Sequence, residues 1–431
     1  MEFNIFAIVV LAALSLDYLL NCISDALNLR AAGEELPDEM RDTYDEDRYR
    51  RSQQYLKSNT EFGLIGSTVS LAALLVFWFA GGFPYLDQFV RDMLPASWAD
   101  NTIIVGLGYV AAILILRFAL ALPFRMYKTF IIEEKFDFNK TTPRTFMADI
   151  IKVLVLSALL GGPLFAALLA FFEYAGDLAW LYCWGVSALF SLVLQYVAPR
   201  WIMPLFNEFR PMEDDELREA IENYAEKVDF PIEGVYVMDG SKRSTKSNAF
   251  LAGFGPNKKI ALFDTLIEKH TVDELVAVVA HEIGHYKKKH ILKSTVLNIL
   301  HLGVVFYLLS FFLRSEGLYA AFGFETDHMP LYAGFMLFGL LYSPVSLILS
   351  VLLNAFSRHN EREADRFAVE TSGRADAFAH ALKKLSRDNL TNLTPHPFTV
   401  FLNYGHPPVL ERIRSMRREG LKGHKGRKGL R

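Results

Sequence analysis

The sequence predicts a mainly α-helical, polytopic membrane protein that carries a small α+β unit outside the lipid. Three observations predict it. Of 431 residues 52% are hydrophobic, 35 of them Phe, and mean hydropathy is +0.20, more apolar than a soluble domain needs. Seven apolar stretches of about twenty residues recur, each long enough to cross a bilayer. The segments between them alternate between rich and poor in Lys and Arg.

The stretches lie near 3–23, 62–82, 102–123, 150–172, 178–199, 291–313 and 331–355. After the first comes a loop with Arg30, Arg41, Arg48, Arg50, Arg51 and Lys57, whereas the next loop holds only Arg91. The third holds Arg125, Lys128, Lys135, Lys140 and Arg144, and the fourth, from Glu173 to Asp177, holds no basic residue. Residues 200–290 and the C-terminal segment are basic-rich, and between the sixth and seventh stretches only Arg314 occurs. The positive-inside rule therefore predicts an outer N-terminus, with both larger polar segments and the C-terminus on the cytoplasmic side. The expected organisation is a five-span region (1–199), a soluble segment (200–290), a two-span region (291–356), a C-terminal segment (357–421) and a basic tail (422–431). Met1-Glu2-Phe3 lacks a basic leader and no small-residue cleavage site follows, so the first stretch is expected to be a retained span.

Asp17, Arg117, Gln195, Asn298, His301 and Asn354 lie within the spans. Such groups pair between helices or face a water-filled interior, and Arg117, the deepest, is the best candidate for an interior wall. Pro344 predicts a kink in the seventh span. Cys22 and Cys183 are too few and too far apart for a disulfide framework or a thiolate metal site.

In the soluble segment, 214–228 reads as an amphipathic helix. Strands follow at 233–238, 247–254 and 259–263, with a turn at Asp239-Gly240. Thr271 can cap the next helix, Asp273 and Glu274 suit its positive end, and Leu275 to Ala280 are apolar. On that helix lies His281-Glu282-Ile283-Gly284-His285. Residues four apart share a helical face, so both imidazoles can aim at one zinc ion, while Glu282 can take a proton from a water the metal activates. The Lys287-Lys288-Lys289 run suits a C-terminal helix end.

A catalytic zinc ion needs a third protein ligand. The segment Ser357-Arg358-His359-Asn360-Glu361-Arg362-Glu363-Ala364-Asp365 places Glu361 and Asp365 on one face. One carboxylate can bind the metal while the other holds a ligand histidine by its second nitrogen, and spacing alone does not separate the two. His359 is a rival ligand that lies off this face, and Glu363 is expected to face solvent.

Together with His406-Pro407-Pro408 ahead of Glu411-Arg412-Ile413, and with Ser247-Asn248-Ala249-Phe250, these motifs resemble the type I CAAX prenyl endopeptidases, integral-membrane zinc proteases of the gluzincin class. The resemblance spans nearly the whole chain up to about Lys422, including five spans before the zinc motif and two after it. It implies seven helices around a water-filled chamber, with a small gluzincin-like domain on the cytoplasmic side and Zn2+ at the chamber's inner end. It also implies that Glu361 is the third ligand, Asp365 a support for a ligand histidine, and Arg412 a further support. Asn248, Ala249 and Phe250 would form the substrate strand, and Asn248 and His406 would hold substrate or stabilise the oxyanion. For His290, His328, His380, His396 and His424 only surface or packing roles are expected, and none for Asn403 or Tyr404.

The expected activity is zinc-dependent hydrolysis of peptide bonds near the C-termini of CAAX-type peptides, prenylated or simply membrane-associated. The expected partners are those substrates and the bilayer, with no nucleic acid. One alternative is quality control of membrane proteins. A zinc-dependent transporter or sensor is another, but it would place ligands within the spans rather than at their ends. The compact length favours a bacterial inner membrane, or the ER membrane in a eukaryote. Lys428-Gly429-Leu430-Arg431 is not a luminal retrieval signal, and the basic tail suits an anionic lipid surface.

Overall fold

A computed structural model describes residues 2–33, 35–253 and 258–428. Phe254 of the expected second strand and residues 429–431 of the tail lie outside them. Helix α1 spans Ile5–Ala31, and its N-terminus is closed by the Asn4 side chain, which accepts from the amides of Phe6 and Ala7. Helices α2 (Glu46–Phe79), α3 (Gly82–Met93) and α4 (Thr102–Tyr127) follow. Asp45 and Asn101 cap α2 and α4 in the same manner. A π turn, Lys128–Glu133, extends α4. Helices α5 (Pro143–Leu156) and α6 (Gly162–Tyr174) form one rod through a second π turn, and α7 (Ala179–Val197) continues through tight turns to Leu205.

The 34 residues of α2 correct one expectation. At 1.5 Å per residue such a helix is about 51 Å long, roughly 20 Å more than a bilayer core. Arg48, Arg50, Arg51 and Lys57 therefore stand on the polar end of a helix rather than in a loop.

Beyond the spans, β1 (Phe209–Pro211), α8 (Asp215–Lys227), β2 (Gly234–Met238), β3 (Ala249–Ala252), β4 (Lys259–Phe263), the short α9 (Asp264–Ile267) and α10 (Val272–Lys287) form the small α+β unit. Its sheet runs β1-β2-β4-β3, with β2 and β4 parallel and both outer pairs antiparallel, so β3 is an edge strand. Strand β1 is an addition to the three expected strands. One sheet face, through Val235, Ile260 and Leu262, packs on Leu217 and Ile221 of α8 and on Leu275, Val276 and Val279 of α10. Burying each such side chain contributes about 1.5–3 kcal/mol, which makes this core a firm base for α10.

The chain re-enters the apolar layer as α11 (His290–Phe312), followed by α12 (Glu316–Ala321), α13 (Leu331–Leu341) and α14 (Ser343–Ser372). The axes of α13 and α14 differ by 53° at the Tyr342 break, with Pro344 in the first turn of α14. Proline fits there because it lacks the N–H that an interior position would donate. Helices α15 (Ala375–Asp388), α16 (Pro397–Asn403) and α17 (Val409–Lys428) complete the chain.

Among the described residues six helices are long and apolar enough to cross a membrane, and the bent pair α13–α14 brings the number to seven if it counts as one span. Only 6–17% of the most apolar stretch of each of the six is buried. A helix packed against a solid core would bury a stripe about 100° wide, a quarter or more of its residues. Spans this bare are not packed around a solid core.

The polar groups in the spans divide. His301 Nε2 lies 3.1 Å from the Tyr342 hydroxyl, Asn354 Nδ2 donates to Leu402 O at 2.9 Å, and Gln195 pairs with Thr295 at 3.4 Å. Asn21 Nδ2 donates to Asp17 at 3.3 Å. Arg117 is exposed and has no partner among the described residues, so no contact ties it to an interior wall.

Candidate metal centre

The centre is built where α10 crosses α14. Thr271 closes the N-terminus of α10 in a reciprocal capping box: its Oγ1 accepts from Glu274 N at 3.4 Å, and its own N–H donates to Glu274 Oε2 at 2.9 Å. Glu274 is buried and also takes Lys384 Nζ at 2.9 Å and the ring of His380, which anchors α15 to the start of α10. At the other end, Gly284 permits the crossing. A Cβ there would stand 3.1 Å from Ala364 O and 3.1 Å from the Phe367 ring, both on α14. Glycine lets the two backbones close to the distance at which short carboxylate arms reach the histidines.

Three ligand atoms then converge. His281 Nε2 and His285 Nε2 are 3.1 Å apart. Glu361 Oε2 lies 3.4 Å from His281 Nε2, and Glu361 Oε1 lies 3.2 Å from His285 Nε2. Tetrahedral ligands about 2.0–2.1 Å from a zinc ion stand about 3.3 Å from one another, so the two nitrogens and the carboxylate oxygens of Glu361 facing them are spaced as ligands of a single ion are. Glu361 Oε2 is also buried without an aligned hydrogen bond among the described residues, as a metal-directed oxygen would be. His359 stays outside, two-thirds exposed, with Glu363 at 3.9 Å as its nearest carboxylate.

Asp365, one turn past Glu361, faces the opposite nitrogen of His281 at 2.9 Å, although off the N–H axis. It is clamped from behind by Arg412, whose Nε and Nη2 reach its two oxygens at 2.9 and 2.6 Å. A bidentate arginine fixes both the position and the plane of a carboxylate. Burial disfavours a charged His281, but Asp365 and Glu361 outweigh it and hold the pKa up at about 9. Burial also lowers the Arg412 pKa, yet Asp365 more than restores it. Glu282 is half-buried beside the ligands, and burial pushes its carboxyl up, toward the range useful for proton transfer.

His406 Nε2 stands 3.3 Å from Glu361 Oε1. Its turn is held by Arg358, which donates to Val400 O at 3.0 Å and to Tyr404 O at 2.5 Å. The His406 side chain is 70% exposed, while surrounding protein still lowers its pKa against the pull of Glu361. The ring therefore stands in a space that water enters but protein encloses.

Asn248 and His406 line one cleft of about 660 Å3, together with Pro407, Pro408 and Arg412. Asn248 leads into β3, and its carbonyl accepts from Phe263 N at 3.1 Å. The side chains of Ala249 and Phe250 do not join it. Ala249 is buried in the core, and Phe250 lines a separate pocket with Tyr196, Phe209 and Tyr236. What these two can offer is the backbone edge of β3, which is paired on one side only among the described residues.

Two expectations are sharpened. His290 is buried and touches His285, with the two Nδ1 atoms 3.1 Å apart, and its Nε2 lies 3.1 Å from Glu363 Oε2. His290 is thus a packing histidine rather than a surface one, and Glu363 is turned partly inward, its side chain 32% exposed, rather than wholly to solvent. Had α10 continued, His290 would sit about 140° around the helix from His285. Instead α10 stops, Lys289 takes a left-handed conformation (φ 58°), and α11 restarts with His290 folded back. The lysine run suits a helix end there, but nothing in the spacing signals that His290 folds back on His285. The other histidines have local roles: His328 Nε2 meets Asp87 at 2.8 Å, and His396 Nδ1 caps α16 by accepting from Phe398 N at 3.1 Å. Arg358, legible only as part of a motif, has a definite job in fastening the His406 turn.

Residues 25–208 match the family model for the CAAX prenyl protease N-terminal region of five membrane helices, and residues 211–419 match peptidase family M48. CAAX prenyl protease 1 of Saccharomyces cerevisiae is 32% identical over 401 residues, covering 88% of each chain. A CAAX prenyl protease 1 homolog of Arabidopsis thaliana is 34% identical, covering 90% of this chain and 91% of its own. The Homo sapiens homolog is 31% identical, covering 89% and 88%. The crystal structure of S. mikatae Ste24p superposes with a TM-score of 0.91 at 29% identity, covering 96% of this chain and all of that one.

Proposed function

The chain belongs to the CAAX prenyl proteases of peptidase family M48, and from that premise we propose that it cleaves CAAX-type peptides near their C-termini at a zinc ion held by His281, His285 and Glu361. It is a multi-pass membrane metalloendopeptidase. The observation that carries the site assignment is the convergence of His281 Nε2 and His285 Nε2, 3.1 Å apart, on the Glu361 carboxylate, whose Oε2 lies 3.4 Å from the first and Oε1 3.2 Å from the second, beside a half-buried carboxylate on the same helix turn. A bound zinc ion supplies Lewis acidity, making water a better nucleophile and polarising the scissile carbonyl. Glu282 takes the proton of the attacking water and passes it to the leaving amine. His406, which a substrate in the cleft would meet at the Glu361 side, donates to the developing oxyanion. Asn248 and the free edge of β3 hold the extended substrate by strand addition, so register along the edge selects the bond cut. Asp365 and Arg412 act behind His281, keeping its ring fixed while charge moves nearby.

Residues 1–199 and 291–356 supply the wall of the chamber, and 200–290 with 357–421 supply the chemistry. The N-terminus lies outside and the metal centre faces the cytoplasm, of a bacterial inner membrane or of the ER in a eukaryotic cell. The basic composition of residues 422–431 suits an anionic lipid surface. Substrates are peptides or proteins that carry a prenyl chain or otherwise approach from the bilayer, entering between helices. The test is incubation of the purified protein with a farnesylated C-terminal peptide and its unmodified twin, with and without a chelator. Faster, chelator-sensitive cleavage of the farnesylated peptide is expected. Equal cleavage of both would shift the proposal to quality control of membrane proteins, and chelator-insensitive cleavage would overturn it.

A further inference from the structure

The two metal-directed histidines are held from behind by different devices. His281 is backed by a carboxylate and an arginine, Asp365 and Arg412. His285 is backed by another imidazole, and the direction of every proton in that second device follows from the first. If His285 gives the lone pair of Nε2 to the metal, its neutral ring must carry its proton on Nδ1. That N–H points at His290 Nδ1, 3.1 Å away, which must then be an acceptor. His290 consequently carries its proton on Nε2, 3.1 Å from the carboxylate oxygen Oε2 of Glu363. The reversed order would set the lone pair of His290 Nε2 against a carboxylate. One arrangement satisfies all three groups, and it is the arrangement that presents His285 Nε2 to the metal.

Burial makes this more than a packing contact. His290 is 3% exposed, so neither ring nitrogen can turn to water for a partner. Glu363 lies at the edge of the cluster, where Lys293 Nζ at 3.7 Å and His359 Nε2 at 3.9 Å also approach it. The chain runs from α14 through the first residue of α11 to the end of α10, so it ties the angle of one metal ligand to the start of a membrane span. We propose that His290 and Glu363 are positioning residues that fix the tautomer and ring angle of His285, and so set how tightly the site holds its metal. This inference rests on the reading of His281, His285 and Glu361 as a metal site.

The test is competition between a metal-binding chelator and the full-length protein in detergent, read as apparent Zn2+ affinity, with Co2+ in a parallel series to read ligand geometry by its visible spectrum. Loss of a group that orients a metal ligand costs about 10- to 100-fold in affinity, and that loss is expected for His290→Phe, which keeps the ring but removes both nitrogens. His290→Gln, with an acceptor and a donor on one amide, is expected to recover part of it and to restore the wild-type Co2+ spectrum toward its original shape. Glu363→Gln, at a position where the side chain is 32% exposed, should weaken binding less. The double variant His290→Phe/Glu363→Gln should be no weaker than His290→Phe alone, because Glu363 acts only through His290. Wild-type affinity and spectrum in His290→Phe, or a Glu363→Gln effect that adds in full on top of it, would overturn the relay. Equal metal uptake by the wild type and His285→Ala would instead remove the metal-site reading on which it rests.

Discussion

With no ion bound, His281 keeps its proton to about pH 9, because Asp365 and Glu361 outweigh the cost of burying a cation. A metal ion must displace that proton, since the lone pair it needs is the one the proton occupies. The sign follows directly. Above pH 9 the ring is neutral and the metal meets no competitor, and below it each unit of acidification weakens apparent affinity by about tenfold. Chelator competition between pH 6 and 8.5 should show that slope, and a flat profile would mean that His281 is neutral in the free protein. The pairing of Glu361 with Asp365 was readable as a four-residue spacing, and so was the division of labour between them. Which of the two faces the metal was not readable from spacing, because that depends on how far α10 is rotated against α14.

At the scale of elements, the centre depends on a close helix crossing rather than on any one helix. Gly284 sets that distance: the space where its Cβ would go is taken by Ala364 O and the Phe367 ring of α14, each 3.1 Å away. Gly284→Val should push the helices apart, lowering stability by about 1–3 kcal/mol as overpacking does and weakening metal retention along with it. Thermal unfolding with and without added zinc would separate the two effects, and unchanged metal retention would show that the crossing has slack. Amphipathic periodicity was enough to find α8, and Thr271, which accepts from the Glu274 amide as its residue type predicts, together with the apolar run after it was enough to find α10. The end of α10 at the Lys287-Lys288-Lys289 run was readable, but the left-handed turn at Lys289 that folds His290 back was not, because lysine carries no mark of that conformation. With that turn went the contact between His285 and His290, whose partner Glu363 lies 73 positions further along the chain. Strand β1 was missed for a similar reason: three residues carry no period, and only pairing with β2 defines them.

At the scale of the whole molecule, hydropathy located every span, including the one that breaks at Tyr342 ahead of Pro344. How loosely the spans pack was not in the hydropathy, since lipid and a protein neighbour can both accept apolar side chains; it appears in how little of each span is buried. The alternation of basic loops makes a further claim, that α10 and its metal ligands face the cytoplasm. Single cysteines placed at Asn4 and at Lys288, in a chain with Cys22 and Cys183 replaced, should react oppositely with an impermeant maleimide on sealed cells: Asn4 labelled, Lys288 protected until lysis. Labelling of Lys288 from outside would reverse the topology. The central claim, that this membrane-walled triangle of ligands performs peptide hydrolysis with Glu282 as its base, has a more direct test. Glu282→Gln protein, shown by elemental analysis to retain one zinc ion per chain, should cleave a farnesylated CAAX peptide at least about 10²-fold more slowly than the wild type. Wild-type cleavage by that metal-loaded variant would contradict the account.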